Sequence, residues 1–149
     1  MAVRLDIVST GFTVRFRGID LVAGCGRDLF VPFERVVGTR VLARADALAS
    51  SPRLASPGLW WPGRLRTGAW GIGERRQLWA VRRGAELVVV YLSGRPFHRV
   101  VVEVEEPRWA HLRLEAALRR SKETAPRRSL GGAGTARRRD TATDRWSAR

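Results

Sequence analysis

Several residue types that build reactive centres are scarce in this chain of 149 residues. Cys25 is the only cysteine, which excludes a disulfide within the chain. Only two histidines are present, His98 and His111, and they are scattered, so no metal site and no cofactor are expected. Cys25 lies between two glycines with no histidine nearby in sequence, and we expect it to be a loop cysteine without a catalytic role.

Long apolar runs are also lacking. The longest, at residues 87–92, is far shorter than the roughly 18 apolar residues of a membrane-spanning helix. Arg4 and Asp6 interrupt the apolar residues at the N-terminus, so no signal peptide is expected. The sequence therefore predicts a cytoplasmic protein, and peripheral contact with a membrane stays open as an alternative.

Acidic residues are few, with 14 Asp and Glu against 28 Lys and Arg, and the formal net charge is +14. Such an excess is typical of proteins that bind nucleic acid or anionic surfaces. Lys122 is the only lysine, however, and so strong a preference for arginine is also what a GC-rich genome produces. The charge alone therefore does not show whether the chain binds an anionic partner or only reflects the codon composition of its genome.

Half of the formal net charge, +7 of +14, lies in residues 119–149, which hold ten basic and three acidic side chains. From residue 121 onward no hydrophobic period remains, and glycines at 131–134 precede the triplet Arg137, Arg138 and Arg139. We expect one folded domain over residues 1–120 and a disordered basic tail over residues 121–149. The triplet could neutralise phosphates, or it could be a solvated tail.

Most of the folded part shows the two-residue period of strands. Strands are predicted at residues 3–8, 12–16, 29–33, 36–42, 65–72, 77–81, 87–92 and 99–105. The run at 87–92 is apolar on both faces and is expected to be the most buried strand. Arg83-Gly84 and Ser93-Gly94 are predicted to be hairpin turns. Residues 43–63 are predicted to be a long connection with a short helical piece at 45–49.

At Pro107 the period changes to that of a helix, which is predicted to continue to about residue 120. Trp109, Leu112 and Ala116 follow helical spacing and form the predicted core stripe. Trp109 is therefore expected to be buried against the sheet. The fold class predicted from these patterns is mainly β (α+β), with one C-terminal helix.

No arrangement of side chains indicates catalysis. Glu103 and Glu105 share one face of a strand and could act as an acid–base pair, but the solvated face of a sheet is the simpler interpretation. The glycine-containing segments lack the remaining residues of nucleotide-binding loops. The sequence thus predicts a binding protein and not an enzyme.

The best ligand-binding candidate is the pair Trp60 and Trp61, with Arg64 and Arg66 following closely. Aromatic rings beside arginine can hold a peptide, a base or a membrane interface. Alternatively, the rings fold inward and close one end of a barrel, since tryptophan is highly buried on average. Neighbouring side chains of a strand point in opposite directions, so we expect one ring to pack and the other to be partly exposed.

A family resemblance covers residues 11–109. It is carried by Gly11-Phe12-Thr13-Val14-Arg15-Phe16, by residues 29–36, by Pro57-Gly58-Leu59-Trp60-Trp61-Pro62-Gly63 with Gly68, by residues 86–92 and 97–104, and by Glu106-Pro107. In these motifs the chain resembles the bacterial pleckstrin-homology-like (PH-like) domain family. The resemblance implies a bent antiparallel β-barrel of about seven strands, capped by one C-terminal α-helix. Phosphoinositide binding is not implied, because the first hairpin lacks a dense basic cluster.

The function predicted from the sequence is that of a non-enzymatic PH-like adaptor, which binds a protein or peptide partner through Trp60, Trp61, Arg64 and Arg66. The alternative is an electrostatic binder of nucleic acid or an anionic membrane surface, acting through Arg137, Arg138 and Arg139 in the tail.

Overall fold

The computed structural model describes residues 3–18, 27–53 and 55–124. Cys25 and the arginines of the tail lie outside these described residues. In chain order the strands are β1 (Val3–Val8), β2 (Gly11–Phe16), β3 (Leu29–Pro32), β4 (Val36–Ala43), β5 (Ala55–Trp61), β6 (Leu65–Trp70), β7 (Gln77–Val81), β8 (Glu86–Leu92) and β9 (Arg99–Val102). The α-helices are α1 (Arg44–Ala49) and α2 (Pro107–Thr124), and short 3-10 turns cover Phe33–Arg35 and Gly73–Arg75.

The described strands form two sheets. β1, β2 and β3 make an antiparallel three-stranded sheet, and the other six strands have the order β4-β8-β9-β7-β6-β5. The prediction of a mainly β (α+β) fold with one long C-terminal helix is confirmed. The closed antiparallel barrel is not observed, because no hydrogen-bonded ladder joins the described strands of the two sheets, and β7 pairs with β9 in parallel.

The parallel pairing of β7 with β9 bears on the two predicted hairpin turns, of which only one is found. Ser93-Gly94 lies in the loop of the antiparallel β8–β9 hairpin, as expected. Arg83-Gly84 links β7 to β8, but β9 lies between these two strands in the sheet. The prediction of a hairpin at Arg83-Gly84 was therefore wrong, because strand neighbours here are set by pairing with a later segment.

The six-stranded sheet buries both of its faces. One face packs against the three-stranded sheet and against Leu114 and Leu118 of α2, around Phe12, Val88 and Val100. The opposite face forms a second, smaller core under α1. Its buried residues are Ala47, Trp70, Trp79, Val81, Leu87, Val89 and Val101. β8 contributes to both cores and is fully buried from residue 87 to residue 90. The prediction that it is the most buried strand was wrong, because β7 and β9 are buried over their whole length.

Helix α2 packs against β1, β4 and β8, but not with the predicted stripe. Leu114 and Leu118 are buried, whereas Trp109 is 57% exposed and Leu112 is also exposed. The prediction that Trp109 is buried was wrong. The stripe with Leu114 and Leu118 faces the sheet, and His111, one turn before Leu114, contacts β4 with its Nδ1 2.9 Å from Thr39 Oγ1.

Candidate functional site

The strongest candidate site is the hairpin of β5 and β6, at one edge of the six-stranded sheet. Residues 43–63 were predicted to be a connection, and this was wrong for β5, which pairs with β6 over most of its length. The turn is Trp61-Pro62-Gly63-Arg64, in which the Arg64 N–H donates to Trp61 O at 3.0 Å. Proline at the second position and Gly63 with φ of 71° at the third are the residues that a type II turn requires.

Both tryptophans of the hairpin are exposed, Trp60 by 63% and Trp61 by 61%. They are successive residues of a strand, so their rings point to opposite faces of the sheet. The expectation that one ring packs inside was wrong. The ladder between β6 and β7 starts at Arg66 and Val81, so the end of the hairpin extends past β7 and no described element covers either ring.

The backbone of β5 adds hydrogen-bonding capacity to these rings. Because Trp61 O accepts the hydrogen bond of the turn, the peptide groups of Trp61 face β6. Backbone groups alternate in direction along an antiparallel strand, so those of Trp60 and Gly58 face away from the sheet. β5 is the last strand in the order, and this outer edge is unpaired among the described residues.

The two arginines predicted to accompany the tryptophans have different surroundings. Arg64 is exposed, and its Cζ lies 5.5 Å from the centre of the Trp61 ring, so it belongs to the hairpin surface. Arg66 is only 8% exposed. Its Cζ lies 3.9 Å from the Trp70 ring and 4.8 Å from the Trp79 ring, on the face covered by α1. Arg66 is therefore part of the second core and not of the exposed surface.

Further arginines lie beside the end of the hairpin. Arg64, Arg82 and Arg83 line one shallow depression together with Leu65 and Glu103. Glu103 Oε2 accepts hydrogen bonds from the backbone N–H groups of Arg82 and Gly84 at 2.7 and 2.8 Å. The single carboxylate of the depression is thus held by the β7–β8 connection, and the arginine side chains give this end of the hairpin a positive surface.

Sequence reasoning missed a second feature, the burial of Arg99 at the start of β9. Arg99 is 3% exposed, and its Cζ lies 5.7 Å from the Trp79 ring and 5.7 Å from the Tyr91 ring. Burial lowers the pKa of Arg99, and nearby Tyr91 opposes that shift. Burial also lowers the pKa of Arg66, to about 10. The available signal was the alternation of β9, which places Arg99 on the same face as Val101.

Other candidates from the sequence are not assembled into a reactive centre. Glu103 is hydrogen-bonded to backbone while Glu105 is exposed. Across residues 3–18, 27–53 and 55–124, no three His, Cys, Asp or Glu side chains are grouped as metal ligands would be. Neither α1 nor α2 has the length and apolar character needed to span a membrane.

Comparison with known proteins gave no relatives: no family model, no curated protein and no solved structure matched this chain. The β5–β6 hairpin and its surroundings are therefore the basis of the function proposed for this chain.

Proposed function

We propose that this chain is a non-enzymatic interaction domain of the PH-like type, which binds an extended segment of a protein partner along the outer edge of β5. The observation that carries the proposal is the coincidence of a strand edge that no described residue pairs with and two tryptophans exposed on opposite faces of the same strand. Proteins normally blunt such edges with charge, proline or a covering element, since an open edge recruits other strands. Pro57 lies in the first half of β5, but residues 58–61 contain no proline and no charged side chain, and Leu59, Trp60 and Trp61 are exposed there.

The edge supports binding by strand addition. The backbone groups of Trp60 and Gly58 face outward and can pair with a guest strand, while alternate guest side chains meet Trp60 on one face and Leu59 and Trp61 on the other. Tryptophan is enriched among residues that dominate binding energy at protein interfaces. The opposite edge of the sheet, β4, is less suited to this role because α2 packs against it.

The chemistry of the partner follows from charge. Arg64 and Arg83 are exposed beside the end of the hairpin, and the nearby Glu103 is engaged by backbone donors. Acidic side chains in the guest segment would complement this surface and raise the rate of association. We therefore propose an extended, acidic segment as the partner.

The PH-like assignment belongs to the same proposal. Its support is the order of the elements, in which a succession of strands over two sheets precedes a single helix, α2, that packs on the sheet. The parallel β7–β9 pair departs from the antiparallel pattern that the resemblance implies. An exposed strand edge is one place where such a scaffold can take a peptide, and the exposed tryptophans lie at such an edge.

A capture experiment with variants of the full-length protein tests the proposal. The double variant Trp60→Ala/Trp61→Ala removes the exposed rings, and Trp109→Ala removes an equally exposed tryptophan from α2 as a matched control. The variant Trp60→Pro removes one outward N–H of β5. A partner that binds the native protein and the Trp109→Ala control, but neither β5 variant, supports strand addition at this edge.

Two further arms address the alternatives. Deleting residues 125–149 leaves α2 whole and removes the tail arginines; if binding disappears with the tail and survives in the double variant, electrostatic binding through the tail replaces the proposal. Co-sedimentation with vesicles of phosphatidylcholine and phosphatidylglycerol tests a membrane. Vesicle binding that depends on Trp60 and Trp61, without a protein partner, would make the hairpin a membrane contact and contradict the proposal.

A further inference from the structure

Two buried arginines share one aromatic platform on the face of the sheet below α1. Arg66 of β6 and Arg99 of β9 both lie over the Trp79 ring, with Cζ atoms 4.8 and 5.7 Å from its centre. The segment that follows α1 covers them: Arg66 Nη2 donates to Pro52 O, and Arg99 Nη1 donates to Ser50 Oγ at 2.7 Å. Two like charges are thus buried beside the same indole ring.

The remaining donors of these arginines lack acceptors. A guanidinium has five N–H bonds and no acceptor. Arg66 Nε, Arg99 Nε and Arg99 Nη2 are all buried, and no described residue accepts a hydrogen bond from them. A buried charged donor without a hydrogen bond lowers the stability of the fold. Such donors are rare in native proteins, and each one calls for an explanation.

The unpaired atoms of Arg99 have a specific geometry. The N–H bonds of Nε and Nη2 run side by side in the guanidinium plane, and this pair is the fork that holds two oxygens of a carboxylate or phosphate. The other edge of the group, through Nη1, is fixed by Ser50. The arrangement therefore orients the fork of Arg99 and leaves it without a partner among residues 3–18, 27–53 and 55–124.

Stacking alone does not balance the charges. Cation–π contacts with Trp70, Trp79 and Tyr91 offset part of the desolvation, but an aromatic face carries no net negative charge. No ion pair joins Arg66 or Arg99 to a carboxylate of the described residues, whereas exposed arginines such as Arg108 do form one. Within the described part of the chain, the buried pair has no counter-charge of the kind that Arg108 has in Glu86.

We propose that Arg99, assisted by Arg66, binds an oxyanion beside the Trp79 ring of β7, the strand that lies between β6 and β9, either a phosphate group or a carboxylate group of a ligand. The fork of Arg99 takes two oxygens, and Arg66 supplies the second positive charge. Entry of the group requires the segment carrying Ser50 and Pro52 to move away from the sheet, since it covers both guanidinium groups. This site is separate from the outer edge of β5 and does not depend on the function proposed for that edge.

Nuclear magnetic resonance of the ¹⁵N-labelled full-length protein tests the proposal directly. Inorganic phosphate, and separately acetate, is added while chloride keeps the ionic strength constant, and the arginine Nε–Hε signals are followed. Through-bond correlation to the backbone assigns the signals without a variant. The Arg99 signal should shift and saturate, while the signal of exposed Arg75 should change only weakly and without saturation. Tighter binding of phosphate than of acetate would assign the site to phosphate groups, and the reverse order to carboxylates.

Variants add a quantitative check. Arg99→Lys keeps the charge but removes the fork, and phosphate affinity should fall on the order of tenfold, the effect of losing a charge-assisted hydrogen bond. Arg75→Lys is the matched control and should bind as the native protein does. The double variant Trp60→Ala/Trp61→Ala should also keep phosphate binding, which separates this site from β5.

Two results would overturn the proposal. One is an Arg99 signal that does not move with either anion, or that moves no more than the Arg75 signal. The other result has two parts: the Arg99 signal of the native protein does not respond to anions, and the Asp20→Asn variant changes the position of that signal. Asp20 lies outside the described residues, and that result would show that the chain's own carboxylate fills the fork.

Discussion

Trp60 and Arg66 are direct neighbours across the β5–β6 ladder, and their surroundings are the reverse of what their chemistry suggests. The indole ring is mostly exposed, whereas the guanidinium group is buried between Trp70 and Trp79. The hairpin therefore contributes to the stability of the domain through Arg66, which packs in the second core. Trp60 contributes little to that core and remains available for binding.

The first prediction compares tryptophans of different burial. Trp60→Ala and Trp61→Ala should each change the free energy of unfolding by less than about 1 kcal/mol, as expected for exposed positions. Trp79 is fully buried under α1, and Trp79→Ala should cost about 3–5 kcal/mol. Urea denaturation followed by circular dichroism measures both. A large loss on truncating Trp60 or Trp61 would show that the rings pack in solution.

A second prediction concerns which stripe of α2 faces the sheet. Leu114 is fully buried, so Leu114→Ala should destabilise the domain by about 2–5 kcal/mol. Trp109→Ala should cost less than about 1 kcal/mol because the ring is exposed. Denaturant melts give the two values, and iodide quenching of the Trp109 fluorescence gives its exposure. The opposite order of the two effects would place the helix in the orientation first expected from its sequence.

Glu103 should stabilise the connection between β7 and β8 through its hydrogen bonds to the backbone N–H groups of Arg82 and Gly84. Glu103→Ala leaves these donors without their acceptor and should cost about 1–3 kcal/mol. Glu105→Ala is the control, since Glu105 is exposed, and it should be close to neutral. Thermal or urea unfolding distinguishes them, and equal effects of the two substitutions would contradict this role for Glu103.

The start of α2 is joined to β8 by an ion pair whose pH dependence can be measured. Hydrogen bonds from Arg108 lower the pKa of Glu86 below its ordinary value, with the attraction between their charges acting in the same direction. The pair therefore stabilises the fold above the ordinary carboxyl pKa, and this contribution is lost as the pH falls through the lowered pKa.

Carboxyl ¹³C shifts of Glu86 should titrate at a higher pH in Arg108→Ala than in the native protein. Because both side chains are at the surface, the difference should shrink as sodium chloride is added. Identical titrations in the native protein and the variant would show that the ion pair does not persist in solution.

Local sequence patterns were sufficient for the strands with clear alternation and for the start of α2 at Pro107. They were insufficient for β5, because Pro57, Gly58 and Pro62 are residues of turns in most contexts. Residues 55–61 become a strand through pairing with β6, and that pairing is a tertiary property. The same limit explains Trp109: α2 has two apolar stripes, and packing against β4 selects the one with Leu114.

The candidate site was predictable in part. Trp60, Trp61 and Arg64 were grouped because they are close in sequence, but the β5–β6 hairpin and the exposure of both rings were not predicted. Arg66 shares a face of the sheet with its cross-strand neighbour Trp60, and its burial depends on tertiary contacts with Trp79 and with the segment after α1. Arg99 could not be singled out, because its burial depends on α1 and the segment after it lying over β9.

The parallel pairing of β7 with β9 has a consequence for the synthesis of the chain. β9 is the last strand to leave the ribosome, yet it occupies an interior position of the six-stranded sheet, between β8 and β7. Until residues 99–102 have emerged, β4–β8 and β5–β6–β7 are two separate fragments with no ladder between them. A chain cut short before Arg99 would lose the strand that joins them, and with it the continuous sheet.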